Sequence, residues 1–485
     1  MIYESERRGA EQSQAGELRP LSQAQFLMWL GQQLNPTAPL YNMIQTFRIA
    51  GEVNRPVFAA AWQALVDRSD ALRTTIHLVD EKPWQAVAAA MAAPVEWLDL
   101  SFEPDPEAAY AAWLETRKVR LLALDERLWD CVLIKMGPAD FLWYLNQHHL
   151  ITDGQAFANT YRYMAEFYAL AQADKLAEVP ALPQYGDYLA YEAAHRRSQA
   201  WQEARAYWLE KLDTEVAPTD FYGRVAGETT GRTDRVPFAV GRERSARLRD
   251  IAMAEGFASL NMDMSLYTIW ATLLLTTMHR LGGQNQLRLG TPFQARPTPA
   301  FKDTIGLFIE IGPLQVAIEP EETFVSLGEQ VMGEMFSGLL NAQAGISDAE
   351  LNRSYDVLLN YVNARFADFA GLPVQTDWVH TGYGDSDHLL RLQITDFDDE
   401  GEFLLHFDLN AELFGPAERR WLLDQFNAVL NAFIDDYQRP LGSFALLTPA
   451  ERQRLFRDFN DTDAAYPRTE TVMSLFEAQV ARTPE

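Results

Sequence analysis

At 485 residues the chain exceeds what one hydrophobic core usually serves, so two lobes are expected. Its composition, 48% hydrophobic and 22% charged, is that of a globular protein and excludes general disorder. With 41 Lys+Arg against 68 Asp+Glu the formal charge is −27, an acidic balance that argues against nucleic-acid and anionic-membrane partners. The single cysteine, Cys131, excludes internal disulfides and Cys-based metal centres, which fits a reducing cytoplasm. Met1 to Pro20 is polar and has no apolar core, so no signal peptide is read there.

The predicted elements follow in chain order. Leu21 to Leu34 has helical spacing (Phe26, Leu27, Leu30) with Ser22 as N-cap, and Tyr41 to Ile49 reads as a strand. Pro56 to Ser69 and Glu107 to Leu122 read as helices; Leu72 to Leu78, Trp129 to Lys135 and Phe141 to Gln147 read as strands. A tight polar segment, His148 to Gly154, leads into a long helix from about Gln155 to Ala173. Pro180, Pro183 and Tyr185 mark the passage between lobes.

The second half opens with one helix around Tyr188 to Leu212. Strands are expected at Thr233 to Val240, Gln286 to Thr291, Leu307 to Val316, Asp356 to Tyr361, Leu389 to Asp396 and Glu402 to Leu409. Helices are expected at Arg242 to Glu255, Ser265 to Leu281, Thr323 to Leu340 and Pro416 to Gln438. Leu266 to Met278 is apolar but too short and too rich in threonine to span a bilayer, so it is read as a buried helix ended by Gly282-Gly283. Mixed strands and helices in both halves predict an α/β protein of two sandwich-like lobes, at 1–180 and 181–447. Residues 448–485 change to a charged, turn-rich stretch with a final amphipathic piece, Thr471 to Arg482.

The strongest local signal is His148-His149-Leu150-Ile151-Thr152-Asp153-Gly154. A strand that delivers two adjacent histidines to a turn points them in opposite directions, one to a cleft and one inward. Asp153 is placed to cap the next helix, and Gly154 permits close backbone approach. Histidine can orient or deprotonate an amine near neutral pH. For an isolated pair, structural histidines would be the plainer reading. No metal is expected, because adjacent histidines seldom chelate one ion together.

This segment resembles the HHxxxDG signature of nonribosomal peptide synthetase condensation domains, relatives of chloramphenicol acetyltransferase. Further segments resemble that family in order along the chain. They are Leu21-Ser22-Gln23-Ala24-Gln25 with Met28-Trp29-Leu30 and Tyr41-Asn42; Asp70-Ala71-Leu72-Arg73-Thr74-Thr75-Ile76; Tyr185-Gly186-Asp187-Tyr188; Ile305-Gly306-Leu307-Phe308-Ile309; and Tyr355 to Tyr361. Phe459-Asn460-Asp461-Thr462 and Leu475-Phe476-Glu477 to Pro484 are similar to a linker into an adenylation domain.

The resemblance implies two chloramphenicol-acetyltransferase-like lobes in a V, with a tunnel between them. It assigns His149 to the reaction centre beside His148, either as general base toward the acceptor amine or as positioner of that amine and stabiliser of the tetrahedral intermediate. It makes Asp153 a structural partner of Arg73, and gives Gly154 the role of leaving room, with an oxyanion contact, at the thioester. Tyr41, Asn42, Glu310 and Asn360 become tunnel candidates. Glu310 stands where the family usually has Asn, and of the tunnel and solvent its side chain is expected to face solvent. The late family motif is weak around Ala342 to Ser354.

The implied reaction is amide formation between a thioester-bound acyl donor and a carrier-bound amino acid. No cofactor belongs to the domain itself, since phosphopantetheine arms or coenzyme A arrive with the substrates. The implied partners are carrier domains, an acyl-CoA donor and a downstream adenylation domain. The start at Met1 favours a lipid-initiating starter type; an elongation domain supplied in trans and a non-catalytic recruitment module are the alternatives. Aspartates would replace the histidines in a cyclisation domain, and an epimerisation domain would not usually precede an adenylation linker.

Overall fold

The structure is a computed structural model that describes residues 17–227, 229–294, 296–342, 354–362, 364–397, 401–465 and 467–485. The leader up to residue 16 and most of the weak late motif, 343–353, lie outside the described residues. Contacts divide the chain into a large unit ending at Ser443 and a small one, Phe444–Glu485.

The large unit is built on two main sheets. The first takes β2 (Asn42–Ala50), β5 (Glu96–Asp99), β6 (Trp129–Gly137), β7 (Asp140–His148) and β12 (Val374–Val379) in the order β12-β2-β7-β6-β5. The second takes β8 (Thr233–Ala239), β9 (Gln286–Gln294), β10 (Ile309–Ala317), β11 (Val357–Val362), β13 (Leu390–Thr395) and β14 (Leu404–Asn410) in the order β10-β9-β11-β13-β14-β8. A small third sheet joins β1 (Arg19–Pro20), β4 (Lys82–Val87) and β3 (Thr74–Val79).

β12 is contributed across the halves. It pairs antiparallel with β2, from Val374↔Ile49 to Val379↔Ile44, so a strand from the second half closes the edge of the first sheet. The first core likewise gathers Tyr185, Phe301, Phe308, Phe366 and Phe369 around Phe47, Trp143 and Tyr161. A lobe boundary at residue 180 is therefore crossed by several segments.

Most helices form where spacing places them. Ser22 accepts from the Gln25 amide while Gln25 bonds back, a capping box that starts Gln23–Leu34. The helix Met262–Gly282 is buried from Ser265 through Met278. Its threonines 268, 272, 276 and 277 each bond the carbonyl four residues back, so no hydroxyl is stranded in the core. The single helix expected around Tyr188 to Leu212 is two, Tyr185–His195 and Gln199–Leu212, the second started afresh by Ser198. β1, β4, β5 and β12 had no counterpart among the predicted strands.

Among the described residues the small unit holds two α-helices, Pro449–Phe456 and Val472–Arg482, each started by a threonine capping box. No helix among the described residues is long and apolar enough to cross a membrane.

Candidate active site

β7 ends at His148, and the chain turns at once into a short 3-10 turn, His149–Ile151. The two rings therefore separate. His148 is 1% exposed, and its Nδ1 accepts from the Leu150 amide at 3.2 Å. Burial, with a smaller contribution from His149, pushes its pKa down to about 3, so the ring is neutral and structural. The His149 amide donates to the Tyr41 carbonyl at 2.8 Å, which fixes the turn against the start of β2. The His149 ring is half-buried with Nδ1 enclosed, leaving Nε2 as the nitrogen that faces a cavity. Burial lowers its pKa, opposed by the Asp153 carboxylate, so at neutral pH it is a free base.

Asp153, 4% exposed, binds three groups at once. Oδ1 caps the helix Gly154–Gln172 through the Ala156 amide at 2.7 Å, and Oδ2 accepts from the Phe308 amide at 2.9 Å. Its ionic partner is Arg296, at 3.1 Å. Arg296 also donates to the carbonyls of Phe301 and Thr304 and lies over the Phe308 ring, 4.1 Å from its centroid. The expected Asp153–Arg73 pair does not form. Arg73 belongs to the turn Ala71–Arg73 and reaches the Ala89 carbonyl at 3.4 Å, while the charge it bears on is that of Asp70. Nothing in the HHxxxDG segment could have pointed to Arg296, which comes from the Pro-rich loop after β9.

The other motifs converge around this brace. Asp70 receives the amides of Tyr185 and Gly186 at 2.8 and 2.7 Å. The Tyr185 hydroxyl donates to the Leu307 carbonyl at 2.9 Å and lies 3.2 Å from the Ser22 hydroxyl. A side chain at Gly306 would strike the Tyr185 ring at 2.1 Å, so that position requires glycine for close approach.

The cavity has a volume of about 490 Å³ and lies between the two main sheets, with His149, Asp153 and Gly154 in its wall. Tyr41, Asn42 and Asn360 line it. Asn42 also donates to the Arg120 carbonyl at 2.9 Å. Glu310 does not line it and does not face solvent. Its neighbours Ile309 and Ile311 are the cavity-lining residues, and strand alternation turns Glu310, only 3% exposed, to the opposite side, where its charge bears on Tyr185 and Tyr188. The solvent expectation fails because that face of β10 is itself covered. A methyl added at Gly154 would meet only Val362, at an ordinary 3.6 Å. The methyl would fit there, and both Gly154 and Val362 belong to the cavity wall.

A mixed α/β fold on two main sheets, with a strand from the second half closing the first sheet and a histidine on the cavity between them, is the fold of the chloramphenicol-acetyltransferase-like class. A family profile described as Condensation domain matches residues 16–456, and the chain belongs to that family, the amide-forming acyltransferases of nonribosomal peptide synthetases. A linear gramicidin synthase of Brevibacillus parabrevis is 26% identical over 96% of the chain, which spans 9% of that relative. The phosphinothricin tripeptide synthetase PhsC of Streptomyces viridochromogenes is 28% identical, again over 96% of the chain and 44% of the relative. Among solved structures, the starter condensation domain of rhizomide synthetase, an arginine-to-alanine mutant with C8-CoA, superposes with a TM-score of 0.78 at 23% identity, covering 89% of this chain and 98% of that one. The first condensation domain of the calcium-dependent antibiotic synthetase, with a substrate analogue, gives 0.78 at 22% identity, covering 90% and 100%.

Proposed function

We propose that this condensation domain joins a fatty acyl thioester to the amine of a carrier-bound amino acid, with His149 as the residue at the reacting atoms. The observation that carries the reading is the placement of a neutral His149 on a cavity whose other walls include Leu27, Met28, Met264, Ile311, Met335 and Leu339. Such a wall suits an acyl chain, each buried methylene contributing about 0.8 kcal/mol. A starter domain of the same fold holds C8-CoA, which supports coenzyme A or an acyl carrier as donor.

The amine nitrogen of the acceptor attacks the thioester carbonyl carbon, and the carbonyl π pair moves to oxygen. As the C–N bond forms, Nε2 of His149 accepts the amine proton. The oxyanion collapses, the C–S bond breaks, and that proton passes to the leaving thiolate, giving an amide and a free thiol. His148 holds the turn, and the Asp153–Arg296 brace fixes the first turn of the following helix beside Gly154. Most of the rate comes from bringing two tethered substrates together, and the proton transfer adds about 10²–10⁴-fold.

In the same reading the partners are carrier domains, and residues 448–485 are the linker toward an adenylation domain in the cytoplasm. Phosphopantetheine or coenzyme A enters only as part of a substrate. The test is product mass spectrometry with octanoyl-CoA or octanoyl carrier and a panel of aminoacyl carriers. Amide formation that fails in His149→Ala supports the reading; turnover confined to peptidyl-carrier donors assigns an elongation domain instead.

A further inference from the structure

The cavity wall is graded in polarity across the second sheet. Strand register sets Ile309 opposite Gln294 and Ile311 opposite Pro292 at one edge. Farther across, Leu358 and Asn360 of β11 pair with Arg391 and Gln393 of β13, and Arg391 is followed by Asp408 of β14 and then Arg235 of β8. Both arginines line the cavity, but they differ in what they have left to give. All three nitrogens of Arg235 have partners, two on the Asp408 carboxylate and one on the Trp378 carbonyl. Arg391 spends one nitrogen on Asp385, at 2.7 Å, and its other guanidinium N–H groups have no partner among the described residues.

His388 stands beside this pair. It is 6% exposed and lines the cavity, and its ring lies against Tyr355 with centroids 5.4 Å apart. Nδ1 lies 3.4 Å from Asp385 without an aligned hydrogen bond, and neither ring nitrogen has a hydrogen-bond partner among the described residues. Buried polar groups are normally satisfied, so the unpartnered ring of His388, beside the partly exposed guanidinium of Arg391 (28%), points to a ligand that pairs with both at this cavity wall. The guanidinium edge presents parallel donors, which match a planar pair of oxygens, or an oxygen and a nitrogen, on one carbon. The charge of Arg391 is also felt at His149, so this wall adjoins the reaction centre.

We propose that Arg391 and His388, braced by Asp385, form a specificity subsite for a carboxylate or carboxamide carried by one of the two substrates. The inference rests on the amide-forming reading of the cavity and adds a polar end to its apolar one.

Calorimetry with non-reacting analogues tests it without turnover. One arm compares glutamyl, glutaminyl and leucyl pantetheine amides; the other compares S-octyl-CoA with S-(7-carboxyheptyl)-CoA. In one arm the carboxylate or carboxamide analogue is expected to bind roughly tenfold tighter than the apolar one. Arg391→Met should bring that ratio to about one. Arg391→Lys keeps a cation opposite Asp385, guards against misfolding, and should retain preference for carboxylate but not for carboxamide. Equal affinities in both arms, or a preference unchanged in Arg391→Met, would overturn the subsite. Selective binding by a chain that makes no amide would instead refute the proposed reaction and leave the subsite standing.

Discussion

Replacing Asp153 by alanine tests the brace that ties the HHxxxDG turn to the second half of the chain. The substitution removes the cap on Ala156, strands the Phe308 amide, and leaves Arg296 without its anion. Losing an N-cap costs about 0.5–2 kcal/mol, an unsatisfied buried amide about 1–3, and a broken buried ion pair about 3–5. These losses overlap, so the expected total is roughly 3–5 kcal/mol. Asp153→Asn keeps an acceptor oxygen for only one of the two amides, which sit on different carboxylate oxygens, and also loses the charge opposite Arg296. It should therefore lose less than Asp153→Ala but not recover most of the loss. Arg296→Ala should lose a similar amount to Asp153→Ala, since the carbonyls of Phe301 and Thr304 lose their donor as well. The assay is a double-mutant cycle by urea denaturation, read where the m-values agree. Coupling of about 0.5–3 kcal/mol is expected between Asp153 and Arg296. Arg73→Ala should be additive with Asp153→Ala. Additive losses for Asp153 and Arg296, or coupling of Asp153 to Arg73, would refute this account of the brace.

Gly154→Ala should leave the melting temperature unchanged or slightly higher, because its backbone is ordinary and the methyl meets only Val362, yet amide formation should fall steeply; retained activity would show that the space is not used. Donor chain length, assayed with acyl-CoAs of graded length, should raise activity until the pocket fills and then lower it, whereas indifference to length would remove the acyl-pocket reading. Glu310→Gln should leave the discrimination between neutral and anionic donors unchanged, because the side chain points away from the cavity; a changed ratio in competition assays would contradict that orientation. His148, His380 and His406 are held neutral by burial, with pKa values of about 3, 4 and 4. Unfolded, they take up protons near pH 6.5, so below that pH each withdraws up to about 1.4 kcal/mol of stability per pH unit until its folded pKa is reached. Urea midpoints that stayed level from pH 6.5 to pH 5 would exclude this.

What was legible in the sequence was local. The Ser22 cap, the end of β7 at the paired histidines and the Asp153 cap all depend on residues within four positions of one another, so the chain order displays them. The buried helix around Leu266 to Met278 was legible for the same reason. What remained hidden depends on pairing at long range. β12 alternates in exposure as an edge strand should, but nothing local says that its partner is β2, more than three hundred residues earlier. Arg296 reaches Asp153 only because the loop after β9 folds back over the first lobe, and Arg73 is the nearer arginine in the motif pattern but not in space. Glu310 shows the limit of strand alternation used alone: it told that neighbours face opposite ways, not which face was covered.

The proposed role of His149 is to carry amide formation on the cavity between the two sheets. Its most direct test is single-turnover amide formation by His149→Ala beside the unaltered chain, with octanoyl-CoA and an aminoacyl carrier, once circular dichroism and melting show both proteins folded. The expected result is a fall of about 10²–10⁴-fold in the rate of the chemical step with little change in binding of either substrate. A folded His149→Ala protein that turned over at the unaltered rate would contradict it.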